Sequence, residues 1–154
     1  MANPIRNEEE LFKQIQEQKI TVTDDIWDIL YHKIGDAVSA INLLCQYYYI
    51  SNEPIPVKEA EKILGHTEVI REYIHGIFTS SKENFPFPDI KENIPLHPII
   101  IQLTTHHINN DTNIINMIVG FYTDPDFSKP IPIEDIQKIL DHTRMIKEFL
   151  EKLR

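Results

Sequence analysis

The stretch PIPVKEAEKILGHTEVIREYI, residues 54–74, returns as PIPIEDIQKILDHTRMIKEFL, residues 130–150. Pro54-Ile55-Pro56 falls on Pro130-Ile131-Pro132, Lys62-Ile63-Leu64 on Lys138-Ile139-Leu140, and His66-Thr67 on His142-Thr143. Ile70 and Glu72 fall on Ile146 and Glu148. Working outward, a two-residue insertion in the second copy separates this block from an earlier one. There His32, Ile34, Ile41, Asn42 and Tyr48 fall on His106, Ile108, Ile115, Asn116 and Tyr122. The unit running from Ile26 to Phe78 is thus repeated from Ile100 to Arg154.

Each unit reads as a helical hairpin. Trp27, Leu30, Ile34, Ala37, Ile41, Leu44 and Tyr48 alternate spacings of three and four, the seam of a packed helix over residues 24–50. Thr23 and Asp24 offer a capping oxygen at its start, and Asn52, Pro54 and Pro56 stop it. A return helix begins near Val57, with Ala60, Ile63, Thr67, Ile70, Ile74 and Ile77 inward. The second copy repeats the plan with Ile101, Thr104, Ile108, Asp111, Ile115, Ile118 and Tyr122, then Ile136, Ile139, Thr143, Ile146, Leu150 and Leu153. Residues 79–97, rich in proline, read as a loop, and Pro98 suits a helix start. Leu11, Phe12 and Ile15 mark a short extra helix within residues 1–22.

One hairpin would leave a side of its seam wet. The expectation is therefore an all-α four-helix bundle made of two tandem hairpins, 23–78 and 98–154, about a pseudo-two-fold axis. The 154 residues, 42% apolar, are read as a single domain. A net charge of −9 without a basic cluster argues against nucleic acid or an anionic membrane as the main partner. With no membrane-length apolar run and a polar, acidic start, a cytoplasmic location is expected, and because both halves of the bundle lie in one chain, a monomer. Cys45, the single cysteine, lies on the apolar stripe and reads as a buried, inert thiol.

His32 and His106 lie opposite the seam and should point outward. Further along the same face stand Leu43, Tyr47 and Ile50 in the first copy and Met117 and Phe121 in the second. Exposed apolar groups beside a histidine are what a docking surface requires.

These residues suggest a family. His32-Lys33-Ile34-Gly35-Asp36-Ala37-Val38-Ser39-Ala40-Ile41 and His106-His107-Ile108-Asn109-Asn110-Asp111-Thr112-Asn113-Ile114-Ile115 both resemble the H-box of the dimerisation and phosphoacceptor domain of sensor histidine kinases. That box runs His, acid, aliphatic, Arg or Asn, Thr or Asn, Pro, Leu, two variable residues, Ile. In the family it sits on the first helix of a hairpin, and two subunits supply two hairpins to a four-helix bundle; this chain resembles both hairpins fused. The resemblance implies that His32 and His106 accept a phosphoryl group and pass it to an aspartate of a receiver domain. Asp36, Ser39, Leu43, Tyr47, Asn110, Asn113, Met117 and Phe121 would then meet the receiver or kinase.

The departures are specific. Lys33 and His107 stand where kinases place the acid, and Ala37 and Asp111 where they place proline. No glycine-rich phosphate loop follows, so phosphorylation from ATP is not expected. The leading expectation is a histidine phosphotransferase of two-component or phosphorelay signalling, without a cofactor. The alternative is a silent docking module on the same bundle, and a third is a metal or small-ligand bundle. A His32, Asp36, His66 metal site fails on height, since the two histidines are offset by roughly 13 Å along the helices. His66-Thr67 and His142-Thr143 read as partly buried polar groups beside the seam. Asp111, charged in a seam position, either bends its helix or hydrogen-bonds to Thr104 or Thr143.

Overall fold

The computed structural model describes residues 8–20, 27–79 and 98–153. The proposed cap at Thr23 and Asp24 and the loop 80–97 lie outside them. Helix α1 is Glu8–Glu17. The described part of helix α2 runs from α-helical Trp27 and Asp28 through a π-helical segment, Ile29–Ile34, and continues as α-helix over Gly35–Ile50. Helices α3, α4 and α5 are Val57–Thr79, Pro98–Thr123 and Ile133–Lys152. The fold is all-α; no strand occurs among the described residues, and no helix there is long and apolar enough to cross a membrane.

The turns explain why the helices stop where they do. Asn52 takes a left-handed conformation (φ 54°), and Glu53 N–H donates to Tyr48 O at 2.9 Å, closing a Schellman cap on α2. The second copy makes the equivalent closure with two more residues: Ser128 is left-handed (φ 42°), and Lys129 N–H donates to Tyr122 O at 3.0 Å. The insertion is absorbed in a turn where Asp126 N–H donates to Asp124 Oδ1 at 2.8 Å. Past each turn the chains meet. Ile55 and Ile131, equivalent residues, exchange backbone hydrogen bonds of 3.0 and 2.9 Å, and the return helices then start alike, Ala60 and Ile136 donating to Pro56 O and Pro132 O.

Helix α2 packs on α3 and α5, and α4 packs on α3 and α5; between α2 and α4, and between α3 and α5, no Cα atoms of the described residues come within 8 Å. The apolar stripes therefore face one shared interior. It contains Leu30, Ile34, Ile41, Ile63, Ile70, Ile108, Ile115, Ile139 and Ile146, all essentially free of solvent. Val38, Leu103, Val119 and Phe149 are buried as well, beyond the expected stripes, and Cys45 is buried as expected. Leu11, Phe12 and Ile15 of α1 lie on this core, with the Phe12 and Phe149 rings edge to face at 5.9 Å.

Polar groups crossing the interior repeat too. Asn42 Nδ2 donates to Thr143 Oγ1 at 3.0 Å, and the equivalent pair, Thr67 and Asn116, approaches to 2.5 Å. Both threonine hydroxyls donate back to their own helices, Thr67 to Leu64 O and Thr143 to Leu140 O. A hydroxyl has one proton, so with Leu64 O served, Thr67 is best matched by an Asn116 amide turned as Asn42 is, with nitrogen toward the hydroxyl. Each copy's first helix is thereby tied to the other copy's return helix.

Candidate functional site

His32 lies in the π-helical segment of α2 and is exposed. A π turn carries one residue more than an α turn, and such segments recur at functional sites. Gly35 N–H donates to His32 O, and Tyr31 sets its ring edge to face against the imidazole at 5.5 Å, itself stacked on Trp27 at 4.4 Å. His32 borders a cleft of about 180 Å³ between α2 and α5, with Asp36 and Ser39 on its own helix and Lys147 and Glu151 opposite. Spacing along one helix placed His32, Asp36 and Ser39 together. Lys147 and Glu151 come from the other copy, so spacing along one helix does not find them; the internal repeat was the available signal.

His106 is half-buried rather than fully outward. Asn110, one turn on, brings its Nδ2 to within 3.2 Å of His106 Nε2. With the amide in this orientation Nε2 is the acceptor, which corresponds to the tautomer with the ring proton on Nδ1. Attack through Nε2 therefore requires this bond to open. The remaining candidates fall on the outer faces: Asp36, Asn110 and Asn113 are exposed and Ser39 is half-buried. Leu43 is 68% exposed, Tyr47 65%, Met117 74% and Phe121 57%. Phe121 rests partly on Phe127, at 4.4 Å, in the turn that holds the two-residue insertion.

The position after each histidine behaves differently in the two copies. Lys33 is exposed, whereas His107 turns inward and stacks on Phe149 at 4.3 Å. Its Nε2 lies 3.3 Å from Asp111 Oδ2, while His142 Nδ1 lies 2.8 Å from Asp111 Oδ1. Asp111 is 6% exposed, so its carboxylate is held between two imidazoles in the interior. This corrects the hydrogen-bond reading of Asp111. Helix α4 runs through it without interruption, and its partners are neither Thr104 nor Thr143. The first copy, with Lys33, Ala37 and His66 at these places, has no such constellation.

Among the described residues no group of three or more His, Cys, Asp or Glu is placed to hold a metal ion. Cys45 is buried, which pushes its thiol up to about 12. Tyr122 donates to Asp135 and is likewise pushed up to about 12, by that hydrogen bond first and burial second. Tyr48, its equivalent, is raised by burial and then by Glu59. No protein-family model matches the sequence, and no characterised protein or solved structure matches it significantly.

Proposed function

We propose that the chain is a four-helix bundle of two pseudo-two-fold related phosphoacceptor-like hairpins that relays a phosphoryl group between signalling proteins. The observation that carries this reading is the duplicated outer face. His32 and His106 stand at equivalent positions on α2 and α4, and each helix continues toward the turn with exposed apolar residues, Leu43 and Tyr47 or Met117 and Phe121. A receiver domain docking on that strip brings its phosphoaspartate to the imidazole. The ring nitrogen attacks phosphorus as the P–O bond to the aspartate breaks, and the carboxylate leaves. Within this reading the chain is a cytoplasmic monomer, since it supplies both hairpins itself.

The interior position of His107 favours a second reading, in which docking survives without transfer. Neither Lys33 nor His107 supplies the acid that orients the ring in the kinases this chain resembles, and Asn110 holds Nε2 of His106. The double variant His32→Ala/His106→Ala separates the two. A phosphotransferase loses phosphoryl uptake from a phosphorylated receiver while still binding it; a docking module shows no uptake in the wild type and the same binding in both.

A further inference from the structure

The cleft beside His32 has a counterpart that differs in charge. Between α3 and α4 lies a cavity of about 450 Å³ lined by Arg71, Ile74, His75, Thr105, Asn109 and Asn113. Under the repeat these residues correspond to Lys147, Leu150, Glu151, Tyr31, Gly35 and Ser39, every one of which lines the cleft beside His32. The fold thus makes the same depression twice, and the side chains have diverged.

In the first cleft Asp36 and Glu151 outnumber Lys147. In the second, His75 replaces the glutamate, asparagines stand in place of Gly35 and Ser39, and among the described residues none of those lining it is acidic. That is notable in a chain with 24 acidic and 15 basic side chains. Among the described residues Arg71 pairs with Glu68, one turn earlier on α3, at 4.0 Å with both side chains exposed, a contact too long and too solvated to neutralise the guanidinium. Asn109 and Asn113 are one turn apart on the same face of α4, and among the described residues neither amide is engaged by another side chain. A guanidinium opposite two free amides recognises an oxyanion, which takes charge from the first and hydrogen bonds from the others. Ile74 and Thr105 supply a less polar wall, and the volume falls in the range of small-molecule sites.

We infer that the α3–α4 cleft binds the oxyanion group, phosphate or carboxylate, of a small molecule, with Arg71 as counter-charge and Asn109 and Asn113 as hydrogen-bond donors. This does not depend on phosphoryl transfer through either histidine. The test is a titration of ¹⁵N-labelled protein with sodium phosphate and, separately, sodium acetate at constant ionic strength, following the side-chain amide signals. Saturable shifts at Asn109 and Asn113 are expected with at least one anion, with Kd about 1 mM or tighter. Arg71→Ala should weaken binding at least about tenfold and Arg71→Lys less. Lys147→Ala, which removes the equivalent cation of the other cleft, should leave it unchanged. Arg71 is exposed, so its variants keep the fold, which the backbone spectrum verifies. The tighter anion identifies the group recognised. Absence of saturable shifts with both anions, undiminished shifts in Arg71→Ala, or equal loss in Lys147→Ala would overturn the assignment.

Discussion

Ile55 and Ile131 each donate a backbone hydrogen bond to the other, at 3.0 and 2.9 Å, and they are the same residue of the repeat. A reciprocal bond between equivalent residues is what the proposed pseudo-two-fold relation requires. The same relation links Asn42–Thr143 to Asn116–Thr67, and the α2–α5 cleft to the α3–α4 cleft. Divergence of charge between equivalent places therefore carries information that neither copy holds alone.

The cross-copy ties should have equal weight. Thr67→Val and Thr143→Val each strand the amide of an asparagine on the facing helix, and each should cost about 1–2 kcal/mol. Urea unfolding checks this as a lowered midpoint at unchanged slope, similar for the two variants. A large effect from one and none from the other would show that only one tie matters.

Asp111 should be the most sensitive polar position. Replacing it by alanine removes the hydrogen-bond partner of His142 and the carboxylate 3.3 Å from His107 Nε2 and should cost about 3 kcal/mol, whereas Asp111→Asn, which can keep the bond to His142, should cost less. The ordering of the two unfolding midpoints is the measurement. Ala37, its equivalent, has no such partners, so Ala37→Asp should destabilise rather than reproduce the arrangement.

Tyr122 links stability to alkaline pH. Its phenol is raised from 10.0 to about 12 in the folded chain, so the unfolded chain gives up that proton first. The contribution is fully present below pH 10 and is lost as pH rises through about 12. Tyr122→Phe should thus be less stable than the wild type at neutral pH, and the difference should shrink over that alkaline window, as followed by urea midpoints at a series of pH values.

Cys45 should be silent in the folded state. It is buried and its thiol is pushed up to about 12, so a thiol reagent at pH 8 should modify it only after unfolding. Modification at the rate of a free thiol in native buffer would contradict its placement.

Much of this arrangement was legible because burial has a period. The positions chosen as seam, from Leu30 to Ile41 and from Ile136 to Leu153, are buried, and the repeat told which helices are equivalent. What escaped depends on contacts between helices. Asp111 looked anomalous because its second partner, His142, lies on another helix, although His107 one turn earlier on the same face was a signal in the sequence. Lys147 and Glu151 join His32 only across the two copies. The π-helical segment of α2 has no marker in Ile29–Ile34, whose buried positions, Leu30 and Ile34, match those of the regular α4, Thr104 and Ile108.

The outer face is the place to seek function by mutation. Tyr47→Ala and Phe121→Ala remove exposed rings and should change stability by no more than about 0.5 kcal/mol while weakening receiver binding. Calorimetric titration against a receiver domain checks this, and unaltered binding in both variants would move the docking surface elsewhere.

The most direct measurement of phosphoryl transfer is incubation of the purified protein with phosphorylated receiver domains, followed by assay for acid-labile, base-stable phosphate on this chain. Label is predicted on the wild type, reduced in His32→Ala or His106→Ala and absent from the double variant. No label on the wild type, or label that persists when both histidines are gone, would contradict it.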